Sequence, residues 1–337
     1  MKRILYMLLP AFVLIACNHK ELCYHHPHTA TIRIVFDWRD APDAHPAGMC
    51  VYFYPQEGGS GQRFEFTGTT GGQIDLRVGK YQVLCYNNDT EAVQFFNTDD
   101  FSTHSAFTRE GNVLEPIYGN GTNYAPRANG AEEERVVISP DMLWGCTATE
   151  VEITDAGISY VCIPESEKDM WLGQPVENKE QVITLYPHEL VCTYTYEVHN
   201  VNNLKHAVQM CGSLSSMAPT LMLGGEELGR ECVTIPFEAH SDGVSTISGK
   251  FYTFGHHERN MNPHRMVFYI VMDDGAKYMY GADSKKFDVT QQVHAAPDRR
   301  HVHIVIDGLD LPQPIENGSG FDPSVDDWEV VEEDIII

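Results

Sequence analysis

The chain has 337 residues, more than one ordinary domain of about 100–200 residues needs, so two domains are expected. Apolar residues make up 42% of the sequence and charged residues 21%, enough to bury a sizeable core. Lys and Arg number 23 against 48 Asp and Glu, which gives a formal net charge of −25. Because such a surface repels phosphate backbones, the composition excludes nucleic acid as a partner.

The N-terminus predicts a cleaved export signal. Two basic residues precede an apolar run over residues 4–16, which is too short to span a hydrocarbon core of about 30 Å. The run ends in Leu-Ile-Ala before Cys17, which resembles the lipobox of bacterial lipoproteins and implies that Cys17 carries lipid. We therefore expect a signal peptide over residues 1–16 and a lipidated tether over residues 17–30. The alternatives are an ordinary secretory signal, with Cys17 present by chance, or a short buried helix.

The residues after Cys17 favour a position at the cell surface. Residues 18–21 have no aspartate directly after the cysteine and carry a Lys-Glu pair, similar to the surface-export signals of Bacteroidetes lipoproteins. The predicted location is therefore the outer membrane, through the lipid on Cys17, with the folded part facing outward.

Eight further cysteines leave the disulfide state open. An even number in an exported protein permits disulfides, but no Cys-x-x-Cys pair indicates a connectivity. Cys50 and Cys85 lie inside apolar strand patterns, where a free thiol behaves as a small buried hydrophobe. Both interpretations remain open at the level of sequence.

Alternating apolar and polar residues predict β-strands along nearly the whole mature chain. One series runs from residue 31 to a strand that ends at Pro187, and a second series runs from residue 190 to residue 306. Short strands at this spacing are typical of β-sandwiches. The predicted division is a sandwich over residues 31–187, a second over residues 188–307, and an extended acidic tail over residues 308–337.

Helical patterns are scarce. Short candidates lie at residues 139–143 and 287–293, and no longer amphipathic stretch is present. Residues 111–131 are rich in Gly, Asn and Pro and have little periodicity, so they predict a long surface loop.

Sequence motifs for catalysis are missing. The chain has no Gly-x-Ser-x-Gly elbow, no P-loop and no Gly-x-Gly-x-x-Gly after a strand. His188 and Glu189 begin like a zinc protease motif, but Cys192 stands at the position of the second histidine and the segment has a strand pattern. We therefore expect no enzymatic activity.

The sixteen histidines raise the question of a metal site. Residues 25–28 include three histidines beside Cys23, but in a tether that supplies no fixed tetrahedral geometry. His301 and His303 alternate on a predicted strand and so face the same side, without an evident third ligand. The sequence predicts neither a metal nor a cofactor.

Several segments resemble FimB-like fimbrial anchor lipoproteins of the Bacteroidales. Residues 51–58 (Val-Tyr-Phe-Tyr-Pro-Gln-Glu-Gly) and residues 79–88 (Gly-Lys-Tyr-Gln-Val-Leu-Cys-Tyr-Asn-Asn) resemble their first domain, and residues 212–218 resemble a segment of their second domain. Residues 36–38, 118–121 and 287–290 are similar to a Bacteroidales lipoprotein family of unassigned function.

This resemblance implies an all-β protein with two transthyretin-like, Greek-key β-sandwich domains in tandem. It also implies a non-enzymatic surface lipoprotein, acting as a fimbrial anchor or minor subunit in pilus assembly and adhesion, with fimbrial subunits as partners. One alternative is a surface glycan-binding lipoprotein, which predicts exposed aromatic residues on one face. The other is an exported hydrolase, which predicts a pocket of convergent polar groups with perturbed pKa values.

The acidic tail carries apolar residues that need burial somewhere. The fimbriae that this chain resembles are thought to join subunits by β-strand addition, in which an extended strand enters a neighbour's sandwich. The alternative is that the tail packs on its own second domain or is disordered. The candidate partner-binding residues are Trp328, Val330, Ile335, Ile336 and Ile337.

Overall fold

The computed structural model describes residues 29–118, 134–154, 180–282 and 284–313, together with residues 329–330. Strands dominate these residues, so the predicted all-β class is confirmed. In the first part of the chain the strands are β1 (Thr29–Phe36), β2 (Gly48–Pro55), β3 (Gln62–Thr67), β4 (Gly72–Arg77), β5 (Gly79–Asn87), β6 (Val93–Phe96), β7 (Ser105–Thr108), β8 (Arg135–Val136), β9 (Trp144–Ile153), β10 (Gln181–Leu185) and β11 (His188–Glu189).

The later strands and the few helical turns complete the described elements. The strands are β12 (Cys192–Asn202), β13 (Ala207–Met217), β14 (Thr220–Met222), β15 (Glu227–Leu228), β16 (Val233–Glu238), β17 (His240–Ser241), β18 (Ile247–Thr253), β19 (Met266–Met272), β20 (Lys277–Tyr280), β21 (His301–Asp310) and β22 (Glu329–Val330). The helices are α1 (Glu115–Tyr118) and α2 (Thr290–His294), with 3-10 turns at Leu204–His206 and Lys285–Phe287. No helix among the described residues combines the length and apolar character needed to cross a bilayer.

The chain forms two compact units, of which the first contains the described residues 29–34, 73–79, 152–154 and 180–183. Its strands belong to a three-stranded sheet in the order β10-β1-β4. Side chains alternate between exposed and buried along β1 because successive residues of a strand point to opposite faces. On the exposed face the Thr31 hydroxyl donates to Asp75 over 2.6 Å, which links β1 to β4.

The second unit contains the remaining described residues and four further sheets. Their strand orders are β11-β9-β5-β2-β3, β17-β18-β12-β21, β22-β20-β19-β13-β16-β8 and β15-β14-β7-β6. Buried side chains of β12 and β21 share one apolar cluster with buried side chains of β16 and β19. The sheet that contains β12 and the sheet that contains β13 therefore enclose a common core, as the two layers of a sandwich do.

The strand β21 shows why these residues form a sheet with one buried face. Val302, Ile304 and Ile306 are buried, while His301, His303 and Val305, which alternate with them, are exposed. β21 pairs in parallel with β12, which pairs on its other side with β18 in antiparallel fashion. The predicted alternation in this segment is confirmed, and the strand continues past residue 307 to Asp310.

Three sheets of the second unit join strands from both sides of residue 187. β11 pairs with β9, β14 pairs with β7, and β8 pairs in parallel with β16. The division into residues 31–187 and 188–307 stays a prediction.

The expectations about helices and loops are corrected in detail. Residues 139–143 form no helix, because Pro140 lacks an amide donor and the Asp141 carboxylate accepts from the Glu91 and Ala92 amides. Residues 287–293 form a 3-10 turn followed by α2. In the predicted loop over residues 111–131, α1 occupies the end of the described part, and residues 119–131 lie outside the described residues.

Candidate functional site

Most of the predicted site residues lie outside the described part of the chain, and Val330 is the exception. It belongs to β22, whose backbone pairs in parallel with β20. The predicted residues outside the described part are Cys17, Trp328, Ile335, Ile336 and Ile337.

The strand β22 covers one edge of the six-stranded sheet. Glu329 pairs with Tyr278, and Val330 pairs with Met279. On its other side β20 is already bonded to β19 in antiparallel register. An uncovered β20 would present unpaired backbone N–H and C=O groups, which can bind another extended chain. This edge is the candidate partner-binding site.

A surface cleft of about 800 Å³ lies elsewhere in the second unit. Glu226 on its wall accepts from His188 Nε2 over 2.9 Å and from Arg300 over 3.2 Å. The hydrogen bond between His188 and Glu226 raises the pKa of His188 and lowers the pKa of Glu226. Cys192 also lines the cleft, and burial raises the pKa of its thiol to about 11, so it is protonated at neutral pH. The cleft therefore holds compensated ion pairs rather than an activated nucleophile.

Three histidines that sequence reasoning did not connect lie together in the second unit. His264 is fully buried, its Nδ1–H donates to Ser215 O over 3.1 Å, and its Nε2 lies 3.1 Å from His294 Nε2. The His256 ring stacks on His294 with 4.8 Å between centroids and 10° between planes. Stacked rings direct their nitrogen lone pairs along parallel planes. The lone pairs of His256 and His294 therefore do not converge on one ion. No group of three or more metal-ligand side chains among the described residues is arranged around a common point.

A second buried histidine stands between two tyrosines. The Tyr54 hydroxyl donates to Thr98 O over 3.0 Å, so its oxygen accepts from His104 Nδ1–H over 2.6 Å. His104 Nε2 then accepts from the Tyr86 hydroxyl over 3.1 Å. Burial, with a smaller contribution from the charge of Arg63, lowers the pKa of His104 to about 4. This chain of hydrogen bonds is fully satisfied and holds the core in one arrangement.

The histidines that were considered as metal ligands on β21 have other partners. His301 contacts Asp298 through Nδ1 over 2.9 Å and Glu189 through Nε2 over 3.1 Å. His303 Nδ1 lies 2.9 Å from the Thr195 hydroxyl on the neighbouring strand. Both are exposed, so these contacts belong to the polar face of the sheet.

Exposed aromatic side chains are few in the part of the chain that the structure describes. Phe96 is 61% exposed and Tyr186 is 41% exposed, and the other large exposed apolar residues are valines and a methionine. Sugar binding by stacking needs aromatic rings grouped on one face. This distribution does not favour the glycan-binding alternative.

Comparisons with known proteins agree with the predicted resemblance. A Bacteroides ovatus protein named as a fimbrium anchoring subunit, Fim4B, is 27% identical over 149 residues, which are 44% of this chain and 40% of that protein. The match thus spans less than half of that relative's length. The predicted similarity to fimbrial anchor proteins is confirmed.

Two solved structures are similar to this chain to different degrees. A crystal structure of a Bacteroides ovatus protein assigned as an adhesin has a TM-score of 0.59 at 18% identity and covers 90% of this chain and 99% of that chain. The fimbrial anchor protein Mfa2 of Porphyromonas gingivalis has a TM-score of 0.45 at 13% identity, with 82% of this chain and 90% of that chain covered. The first of these comparisons supports the β-sandwich architecture.

A family model provides the classification. The model described as domain of unknown function DUF5119 matches residues 16–238, which is more than half of the chain. The chain therefore belongs to the DUF5119 family.

Proposed function

We propose that this protein is a fimbrial anchor or minor subunit, which works at the cell surface by binding other fimbrial subunits and has no catalytic role. The named relative Fim4B supports the link to fimbriae, and the adhesin structure supports a fold of the same architecture. The cleft and the histidine clusters described above hold satisfied structural contacts, which is consistent with a binding protein.

The pairing of β22 with β20 is the observation that carries this proposal. β22 belongs to the predicted tail, residues 308–337, and pairs with β20 at the edge of a sheet in the second unit. In β-strand addition, main-chain hydrogen bonds along such an edge supply affinity, and alternate side chains supply specificity. We propose that the tail, or the β20 edge that it covers, is the contact with a fimbrial neighbour. A subunit with this edge covered is protected from uncontrolled association before it meets its partner.

A disulfide that holds the tail on β20 is expected to abolish assembly. Tyr278→Cys and Glu329→Cys place two thiols on paired residues of adjacent strands, where the Cα separation suits a disulfide. We expect the oxidised variant to co-purify with fimbrial subunits at least ten-fold less than the unchanged protein, and reduction to restore the yield. Mass spectrometry of the proteins co-purified from the producing bacterium provides the measurement.

A matched control tests the disulfide, and a deletion distinguishes whether the tail itself or the β20 edge contacts the partner. The single variant Tyr278→Cys is expected to behave like the unchanged protein in both redox states. Deleting residues 321–337 is expected to abolish co-purification if the tail itself is the contact, and to increase it if the uncovered β20 edge is the contact. Equal co-purification by the oxidised double variant, the deletion and the unchanged protein would contradict both forms.

Membrane attachment is proposed to run through lipid on Cys17. Replacing Cys17 with serine removes the acylated thiol, and several acyl chains are needed for stable anchoring. We expect the variant to move from the membrane fraction to the soluble fraction, as measured by immunoblotting after ultracentrifugation. Cys23→Ser is the matched control and should stay with the membranes. Continued membrane association of the Cys17 variant would disprove the assignment.

A further inference from the structure

Two buried cysteines in the second unit face each other. Cys85 on β5 and Cys146 on β9 have their Sγ atoms 3.3 Å apart, and their side chains are at most 7% exposed. β5 and β9 are neighbours in the five-stranded sheet. The two residues are 61 positions apart in the chain, so the contact is a product of the fold.

The other buried thiols have a different environment. The Sγ atoms of Cys50, Cys192 and Cys211 each contact a backbone carbonyl oxygen, at 3.5, 3.8 and 3.3 Å. Those thiols therefore behave as small buried hydrophobes with a weak donor. Only Cys85 and Cys146 have a second cysteine as the hydrogen-bond partner among the described residues.

The backbone beside this pair is shaped for close approach. A Cβ atom at Gly145 would lie 2.3 Å from the carbonyl oxygen of Cys85, so the missing side chain lets β9 approach β5 at this point. Neighbouring strands lie about 4.7–4.9 Å apart, and a disulfide needs Cα atoms about 4.4–6.8 Å apart, so cysteines on adjacent strands can be bridged. Closing the two sulfur atoms to bonding distance requires a shift of about 1.2 Å, which side-chain rotation can supply.

The two thiols also differ in acidity in the folded protein. Burial raises the pKa of Cys85 well above its usual range. The hydrogen bond from Cys85 lowers the pKa of Cys146, and the nearby His188 lowers it further. In the folded protein Cys146 is therefore the more readily ionised thiol of the pair.

We propose that Cys85 and Cys146 are a disulfide site, which closes when the chain folds in an oxidising environment. The oxidant is an external disulfide. The thiolate of one cysteine attacks one of its sulfurs, forming a mixed disulfide and releasing a thiolate. The other cysteine then loses its proton and attacks the protein sulfur of that mixed disulfide, which forms the intramolecular bond and releases the second thiolate. Two cysteines are oxidised, and two electrons and two protons pass to the external disulfide, which becomes two thiols. Because both cysteines are buried in the final fold, the exchange takes place before β9 docks on β5.

Peptide mapping tests the site directly. The full mature chain is refolded in a glutathione redox buffer, alkylated in denaturant and digested without reduction. We expect a linked peptide that contains Cys85 and Cys146 and is 2 Da lighter than the sum of its two parts. The result does not depend on export or on fimbrial partners, so it can fail while the proposed function holds. Absence of this peptide, or a predominant link between other cysteines, would overturn the proposal.

Thermal unfolding provides the second measurement. Cross-linking residues far apart in sequence constrains the unfolded chain, so we expect reductant to lower the unfolding midpoint by about 5–10 °C. The double variant Cys85→Ala with Cys146→Ala should show no effect of reductant, while Cys211→Ala should retain the full effect. If the double variant does not fold, the peptide map of the unchanged protein still decides the question. A redox effect that persists in the folded double variant contradicts the proposal.

Discussion

Replacing Phe237 with alanine is expected to lower the free energy of unfolding by about 3–5 kcal/mol. Phe237 lies on β16, is 3% exposed and stacks on Phe251 with 4.5 Å between ring centroids. It also packs edge-on against Phe268, with 6.1 Å between centroids, and in a tilted arrangement against Tyr196, with 4.8 Å between centroids. Protein interiors are close-packed, so the strands around the missing ring cannot collapse fully and a cavity remains.

The same substitution at an exposed position is the matched control for Phe237. Phe96 lies on β6 and is 61% exposed, so Phe96→Ala should change the unfolding free energy by no more than about 0.5 kcal/mol. Urea unfolding followed by circular dichroism measures both variants under identical conditions. Similar losses for the two variants would show that Phe237 is not part of a tightly packed core. A domain of ordinary stability has only about 5–15 kcal/mol to lose, so the Phe237 variant should also be produced in lower yield.

Acidification from pH 7.5 to pH 4 is expected to destabilise the fold by roughly 3 kcal/mol through His104 alone. The pKa of this histidine is about 4 in the folded protein, compared with 6.5 for an unburied histidine. Above pH 6.5 the imidazole is neutral in both states, and its contribution to stability is complete. As the pH falls below 6.5, His104 becomes protonated in the unfolded chain, whereas in the folded protein it stays neutral until about pH 4. The stability contribution is therefore lost over this interval.

A non-titrating variant isolates the contribution of His104. In His104→Gln, an amide oxygen can accept from the Tyr86 hydroxyl and an amide N–H can donate to Tyr54, while the titration is removed. His256, whose pKa burial also lowers to about 4, titrates in both proteins and cancels from the difference. We expect the unchanged protein to lose roughly 3 kcal/mol more than the variant between pH 7.5 and pH 4, as measured by urea unfolding. Parallel pH profiles would show that His104 is not the responsible group.

Local patterns in the sequence identified most of the strands, but not β6, β7, β14 and β15, which together form one sheet. On β21, Val302, Ile304 and Ile306 recur at every second position, and this period alone indicates one buried face. The same reasoning failed at residues 139–143, because this Ser-Pro-Asp-Met-Leu segment contains a proline and is held by side-chain contacts to distant segments. A strand can be recognised from its own residues because the side-chain period of two is a local property of the backbone.

The candidate site was only partly accessible to sequence reasoning. The apolar and acidic character of the tail identified Val330 as a residue that needs burial, but nothing in the sequence indicates that it pairs with Met279 on β20. The grouping of His256, His264 and His294 was equally hidden, because these residues come from three separate segments and share no spacing that a motif would have.

The sequence by itself therefore determined the strand character of most segments, the acidic surface and the resemblance to fimbrial anchors. The tertiary structure decided which strands are neighbours, and with them the covered β20 edge and the contact between Cys85 and Cys146. The physical reason is that alternation fixes which face of a strand is buried, while many pairings and registers satisfy the same alternation. The choice among them is made by packing between residues far apart in the chain, as between Phe237 and Phe251 across the core.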